Sequence, residues 1–111
     1  MTEVTTNGDI VEIRIVDERV DAAAAPALKL DLERALDAAP RRVVLDLEGV
    51  KFMDSTGLGL LVSLLKRMGP EGTIAAAGAQ PAVARLFELT RLDSIFRLAA
   101  DLDGARAIVR A

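Results

Sequence analysis

The 111 residues predict a single α/β domain, 1–111, with a mixed, mostly parallel β-sheet carrying about four helices in the order ββαβαβαβα. Three observations carry this expectation. A hairpin signal near the N-terminus is followed by short apolar runs alternating with helical ones, the pattern that crossover units produce. Hydrophobic residues make up 51% of the chain and charged residues 28%, which is globular rather than disordered. Aromatics are only 3%, so the core is expected to be built from Leu, Val, Ile and Ala. The length fits one ordinary domain and leaves no room for a second.

Each element has its own signal. Asn7-Gly8 is a two-residue hairpin turn, because both residues tolerate positive φ. Residues 3–6 form a weak strand before it. Residues 10–16 place Val11, Ile13 and Ile15 on one parity and Glu12 and Arg14 on the other, an alternating strand. Residues 21–39 read as a helix, with Leu28, Leu32, Ala35 and Leu36 on one face, Pro26 early and Pro40 as the stop. Residues 42–47 are apolar and β-branched, a central strand. Residues 55–68 form a second helix, with Leu58, Leu61, Val62, Leu65 and Met68 on one side. Leu60 and Leu64 lie on its other side, so more than the sheet covers it. Gly69 to Gly72 is a turn, 73–77 a strand of small residues, and Pro81 opens a third helix with Val83, Leu86 and Phe87 on one face. Residues 95–98 are expected as a last strand and 101–110 as a terminal helix with acids in its first turn.

Composition removes several function classes. The net charge is −3 and the nearest approach to a basic cluster is Arg41-Arg42, so nucleic acid is not an expected partner. The polar, acidic residues 1–9 are neither a signal nor a transit peptide, and the apolar run 58–65 falls far short of the roughly 20 residues that span a bilayer. With no cysteine there is no disulfide or thiolate chemistry, which suits the cytoplasm. Histidine is absent as well. A chain with neither His nor Cys cannot build a Ser–His–Asp or Cys–His triad, nor a His/Cys zinc site. No metal and no cofactor is expected.

The informative segment is Phe52-Met53-Asp54-Ser55-Thr56-Gly57-Leu58-Gly59-Leu60-Leu61, which joins a strand to a helix. Its plainest reading is a helix start capped by Ser55 or Thr56. Gly57 and Gly59 ask for more, since each costs about 1 kcal/mol relative to Ala inside a helix. Two glycines in the first turns imply a close approach to the backbone. A dinucleotide fingerprint needs a third Gly where Val62 stands, and a P-loop needs a Lys after a Gly. A nucleophile elbow needs Gly at position 53, which is Met, and a His. What remains is a bare helix N-terminus with a hydroxyl on its rim, a place where a charge can act as a switch.

The string Asp54-Ser55-Thr56-Gly57-Leu58-Gly59, after Phe52-Met53 and the strand RVVLDLEGV, resembles the signature of STAS-domain anti-sigma factor antagonists. The resemblance covers residues 11–107. Arg19-Val20-Asp21, followed by alanines and Pro26, resembles the family's element opening the first helix. Residues 85–90, then Leu92-Asp93 and Ile95-Phe96, resemble its third helix and last strand.

The resemblance implies a STAS-like fold and a partner-switching cycle. A GHKL-type Ser/Thr kinase that doubles as an anti-sigma factor would phosphorylate Ser55. The unphosphorylated domain would sequester that kinase and free a sigma factor. The phosphorylated domain would let go, and a metal-dependent phosphatase would reset it. Asp21, Asp54, Ser55, Thr56, Gly57, Leu58 and Gly59 would form the partner-binding surface, with Asp54 placing the Ser55 hydroxyl. For Asp21 the alternative is a local backbone cap before the first helix. Arg91 departs from the family pattern, standing where Gly is common, and Ala22, Ala23 and Ala24 stand where polar residues are common. One rival is a STAS subunit of a transport or signalling complex that is never phosphorylated. The other, an enzyme using Asp54, Ser55 or Asp46, lacks a general base near neutral pH.

Overall fold

The computed structural model describes residues 2–111. Five strands form one sheet in the order β1 (Thr2–Asn7), β2 (Ile10–Ile15), β4 (Arg42–Asp46), β6 (Thr73–Ala77), β7 (Arg97–Ala99), and a two-stranded ladder of β3 (Arg19–Val20) and β5 (Phe52–Met53) stands apart from it. Strands β1 (Thr2–Asn7) and β2 (Ile10–Ile15) form the expected antiparallel hairpin, with Asn7 opposite Ile10. That register makes Gly8-Asp9 the turn rather than Asn7-Gly8. Gly8 takes φ 64°, at the first turn position, where a type II′ turn places glycine. Every later pairing is parallel: β2 with β4 (Arg42–Asp46), β4 with β6 (Thr73–Ala77), and β6 with β7 (Arg97–Ala99).

Strand parity divides the core into two layers. Val11, Ile13, Ile15, Val43, Leu45, Ile74 and Ala76 point to one side of the sheet, where they meet Leu28 and Leu32 of α1 (Ala25–Ala35), Leu58, Leu61 and Leu64 of α2 (Ser55–Met68), and Val83 and Phe87 of α3 (Pro81–Leu89). Ile10, Val44, Ala75 and Ala77 point to the other side, where Ala105 and Val109 of α4 (Leu102–Arg110) cover them. The alanines of β6 let α4 lie close to the sheet. Arg106 of α4 also donates to both carboxylate oxygens of Glu12 in β2, and this pairing holds the Glu12 carboxyl below its usual range. Leu60 and Leu64 face a groove of about 160 Å³ between α1 and α2, so α2 is covered by a helix as well as by the sheet.

Several boundaries differ from the expectation. Helix α1 starts at Ala25, because residues 21–24 are a turn closed by hydrogen bonds onto Asp21. The helix ends at Ala35, and Ala39 takes φ 50° before Pro40. Residues 92–96 are a turn, in which Ile95 and Phe96 both donate to Leu92 O, so the last strand is Arg97–Ala99. Phe96 is thereby buried against Phe87, ring centroids 5.5 Å apart, and Ile95 is exposed. Arg91 adopts φ 59°, so the bend after α3 is made by a non-glycine residue in left-handed conformation, with Leu92 N–H donating to Phe87 O. Among the described residues no helix is long and apolar enough to cross a membrane.

Candidate functional site

The start of α2 is positioned by an element too short to leave a periodic signal. Strands β3 (Arg19–Val20) and β5 (Phe52–Met53) pair in parallel, Arg19 beside Phe52 and Val20 beside Met53. Lys51 and Phe52 donate their N–H groups to Glu18 O at 2.8 and 3.1 Å, and Asp54 N–H donates to Val20 O at 3.3 Å. Successive side chains of a strand point to opposite faces. Val20 and Met53 accordingly enter the core, while Arg19 and Phe52 face outward, the guanidinium 4.4 Å from the ring centroid.

Asp54, not Ser55 or Thr56, caps α2. Its backbone is extended, and its Oδ1 accepts from Gly57 N–H at 2.9 Å. This satisfies one of the donors that a helix start leaves unpaired. Ser55 is therefore the first residue of the helix. Its side chain is exposed on the first turn and takes no part in the cap. Thr56 beside it is also exposed.

The two glycines have different reasons. A methyl group at Gly57 would lie 2.1 Å from Val20 O and 2.8 Å from Val20 Cγ1. The close approach foreseen at this glycine is that of the chain's own β3. At Gly59 a methyl group would meet nothing within 4 Å. Gly57 and Leu58 are both buried, Leu58 in the main core, so neither presents a side chain on the rim where the resemblance placed it. The exposed rim is Ser55, Thr56 and Gly59, with Asp54 half-buried at its edge.

Asp21 directly follows Val20, the residue packed against Gly57. Its Oδ1 accepts from Ala24 N–H at 3.1 Å and its Oδ2 from Arg19 Nε at 3.2 Å. These bonds, that from Ala24 above all, hold the carboxyl below the usual aspartate range. The local cap is thus real, and it lies on the segment that reaches the start of α2. Arg19 and Phe52 are additions to the residues expected at this surface. Their signal was present: Phe52 is one of only three aromatic residues, and it alternates with the buried Met53.

The resulting surface is a helix N-terminus with an exposed hydroxyl, two carboxylates fixed by backbone N–H groups, and an Arg–Phe pair. Such a surface suits docking, and an added charge there acts where it is felt.

Comparison with known proteins agrees with this architecture. The STAS domain family matches residues 1–105, and the chain belongs to that family. An anti-sigma-B factor antagonist of Staphylococcus aureus is 32% identical over 97 residues, covering 86% of this chain and 89% of that protein. The crystal structure of an anti-sigma factor antagonist from Mycobacterium paratuberculosis superposes with a TM-score of 0.90 at 30% identity, covering 100% of this chain and 94% of that one. The fold is shared further with the Bacillus cell fate determinant SpoIIAA in its phosphorylated form, TM-score 0.70 at 20% identity, over 99% of this chain and 98% of that one.

Proposed function

We propose that this protein is an anti-sigma factor antagonist that works by partner switching, with Ser55 as its phosphoacceptor. The observation that carries the reading is the exposed Ser55 side chain on the first turn of α2, left outside the cap by Asp54, in a chain similar to anti-sigma factor antagonists. In its unphosphorylated form the domain binds a GHKL-type Ser/Thr kinase that serves as an anti-sigma factor, and a sigma factor is released. Phosphorylation of Ser55 ends the binding, and a phosphatase restores it. The cycle runs in the cytoplasm, and the domain contributes binding rather than catalysis.

The physical basis is electrostatic. A phosphate adds about −1.5 to −2 charges at neutral pH. On Ser55 it faces the positive end of the α2 dipole, worth about 0.3–1 kcal/mol in its favour. The half-buried Asp54 carboxylate next to it in the chain opposes it, by an amount of similar order. Within the domain the two effects nearly cancel. At a closed interface they do not, because a partner that covers Ser55 must desolvate the charge or pair it. Each 1.4 kcal/mol so lost is about tenfold in affinity.

The test is incubation with the cognate kinase and ATP, followed by mass-spectrometric mapping of the phosphate. Ser55 is the expected site, and Ser55→Ala should abolish labelling while still binding the kinase. Phosphate on Thr56, or labelling that survives Ser55→Ala, would refute the assignment.

A further inference from the structure

The sheet ends in two unlike edges. At one end β7 is three residues long and begins with the exposed Arg97, a short, charged strand of the kind that discourages further pairing. At the other end β1 runs for six residues, exposed from residue 3 to residue 7. It contains no Pro and no Lys, and its register with β2 is continuous, without a bulge. Its one charged residue, Glu3, is paired with Arg14 of β2. Among the described residues Glu3 is thus the one charge on this edge, and Pro, Lys and a bulge, which commonly guard an edge, are absent from it.

The hairpin register fixes what this edge offers. In an antiparallel ladder, hydrogen-bonded and non-hydrogen-bonded pairs alternate, and a two-residue turn is flanked by a bonded pair. With Asn7 opposite Ile10, residues Asn7, Thr5 and Glu3 bond to β2. Thr6, Val4 and Thr2 then turn their N–H and C=O groups away from the sheet.

We propose that this edge is a self-association surface, on which a second copy of the chain pairs β1 against β1 in antiparallel register centred on Val4. In that register Val4 lies opposite Val4 of the second copy, and Thr2 and Thr6 lie opposite each other. All the outward donors and acceptors of Thr2, Val4 and Thr6 are matched, and the five-stranded sheet becomes continuous across a two-fold axis. The side chains of Thr2, Val4 and Thr6 are all β-branched and share one face, which favours the pairing. Glu3 lies opposite Thr5 of the second copy, so like charges stay apart. A slip of two residues one way would set Glu3 against Glu3. A slip the other way would set Thr5 against Thr5, and either slip would leave outward groups unpaired. The strand is thus complementary to itself in one register, which singles out a second copy over an unrelated strand.

The experiment is sedimentation equilibrium of the untagged protein from micromolar to millimolar concentration. A reversible rise from monomer towards dimer mass is expected. Val4→Pro removes an outward donor while leaving the hairpin bonds of Glu3, Thr5 and Asn7 in place, since Pro is tolerated where the N–H faces solvent. Val4→Lys sets two ammonium groups face to face at the axis. Each variant, shown folded by circular dichroism, should raise the dimer dissociation constant by at least about tenfold, a fold-change read directly from the mass profile. A monomer mass at every concentration, or a dimer equally strong in both folded variants, would overturn the proposal.

Discussion

Replacing Gly57 by Ala tests the geometry that sets Ser55 in place. The added methyl group would lie 2.1 Å from Val20 O, and a real Cβ essentially never approaches closer than 3.0 Å, so β3 must retreat by about 0.9 Å. The obstacle is a backbone carbonyl that accepts from Asp54 N–H, on a residue whose side chain is fully buried, so no rotamer change relieves it. Overpacking of this kind costs about 1–3 kcal/mol, and a backbone obstacle puts this case near the top of that range. Ala in a helix returns at most about 1 kcal/mol. A net loss of about 2 kcal/mol in urea unfolding is expected. Gly59→Ala, with open space around it, should instead gain up to about 1 kcal/mol. Equal stability of Gly57→Ala and its parent, or a gain, would mean that β3 does not pack against the start of α2 as described.

Asp54→Ala removes the cap of α2 and should cost about 1 kcal/mol in the same assay, within the range measured for such caps. Arg91→Gly should raise stability by up to about 1 kcal/mol, because the left-handed φ costs a non-glycine residue about 1–2 kcal/mol and glycine's extra freedom returns part of that. Glu12, Glu18 and Asp21 all have carboxyls held below their usual range, so the unfolded chain takes up protons first as pH falls. The urea midpoint should hold steady at neutral pH and drop once pH passes below 4.5, the ordinary glutamate value; Glu12→Gln should lower the neutral midpoint and flatten that drop.

The long periodic segments could be read directly from the chain. Helix α2 and strand β6 have the bounds that their patterns imply, because many residues vote for each. The β3-β5 ladder could not be seen, since two residues per strand carry no periodicity and the pairing is a tertiary fact. Gly57 was its trace: a glycine in a first turn asks for a close neighbour without saying which. Asp54 and Ser55 are both good caps, and only the extended backbone of Asp54 decides between them. At 92–96 the apolar Ile95 and Phe96 suggested a strand, yet burying Phe96 against Phe87 requires a turn there. Asp54 and Ser55 stand at the start of α2 and Asp21 directly after β3, while Leu58 follows the helical period into the core.

In the proposed cycle a charge on Ser55 acts at an interface and leaves the fold unchanged. Titrating the cognate kinase with the parent domain and with Ser55→Asp, alongside urea unfolding of both, tests it most directly. A loss of affinity of at least about tenfold, or 1.4 kcal/mol, is expected, with unfolding free energies within about 1 kcal/mol of each other. Unchanged affinity, or a loss of several kcal/mol in stability that points to melting of α2, would contradict it.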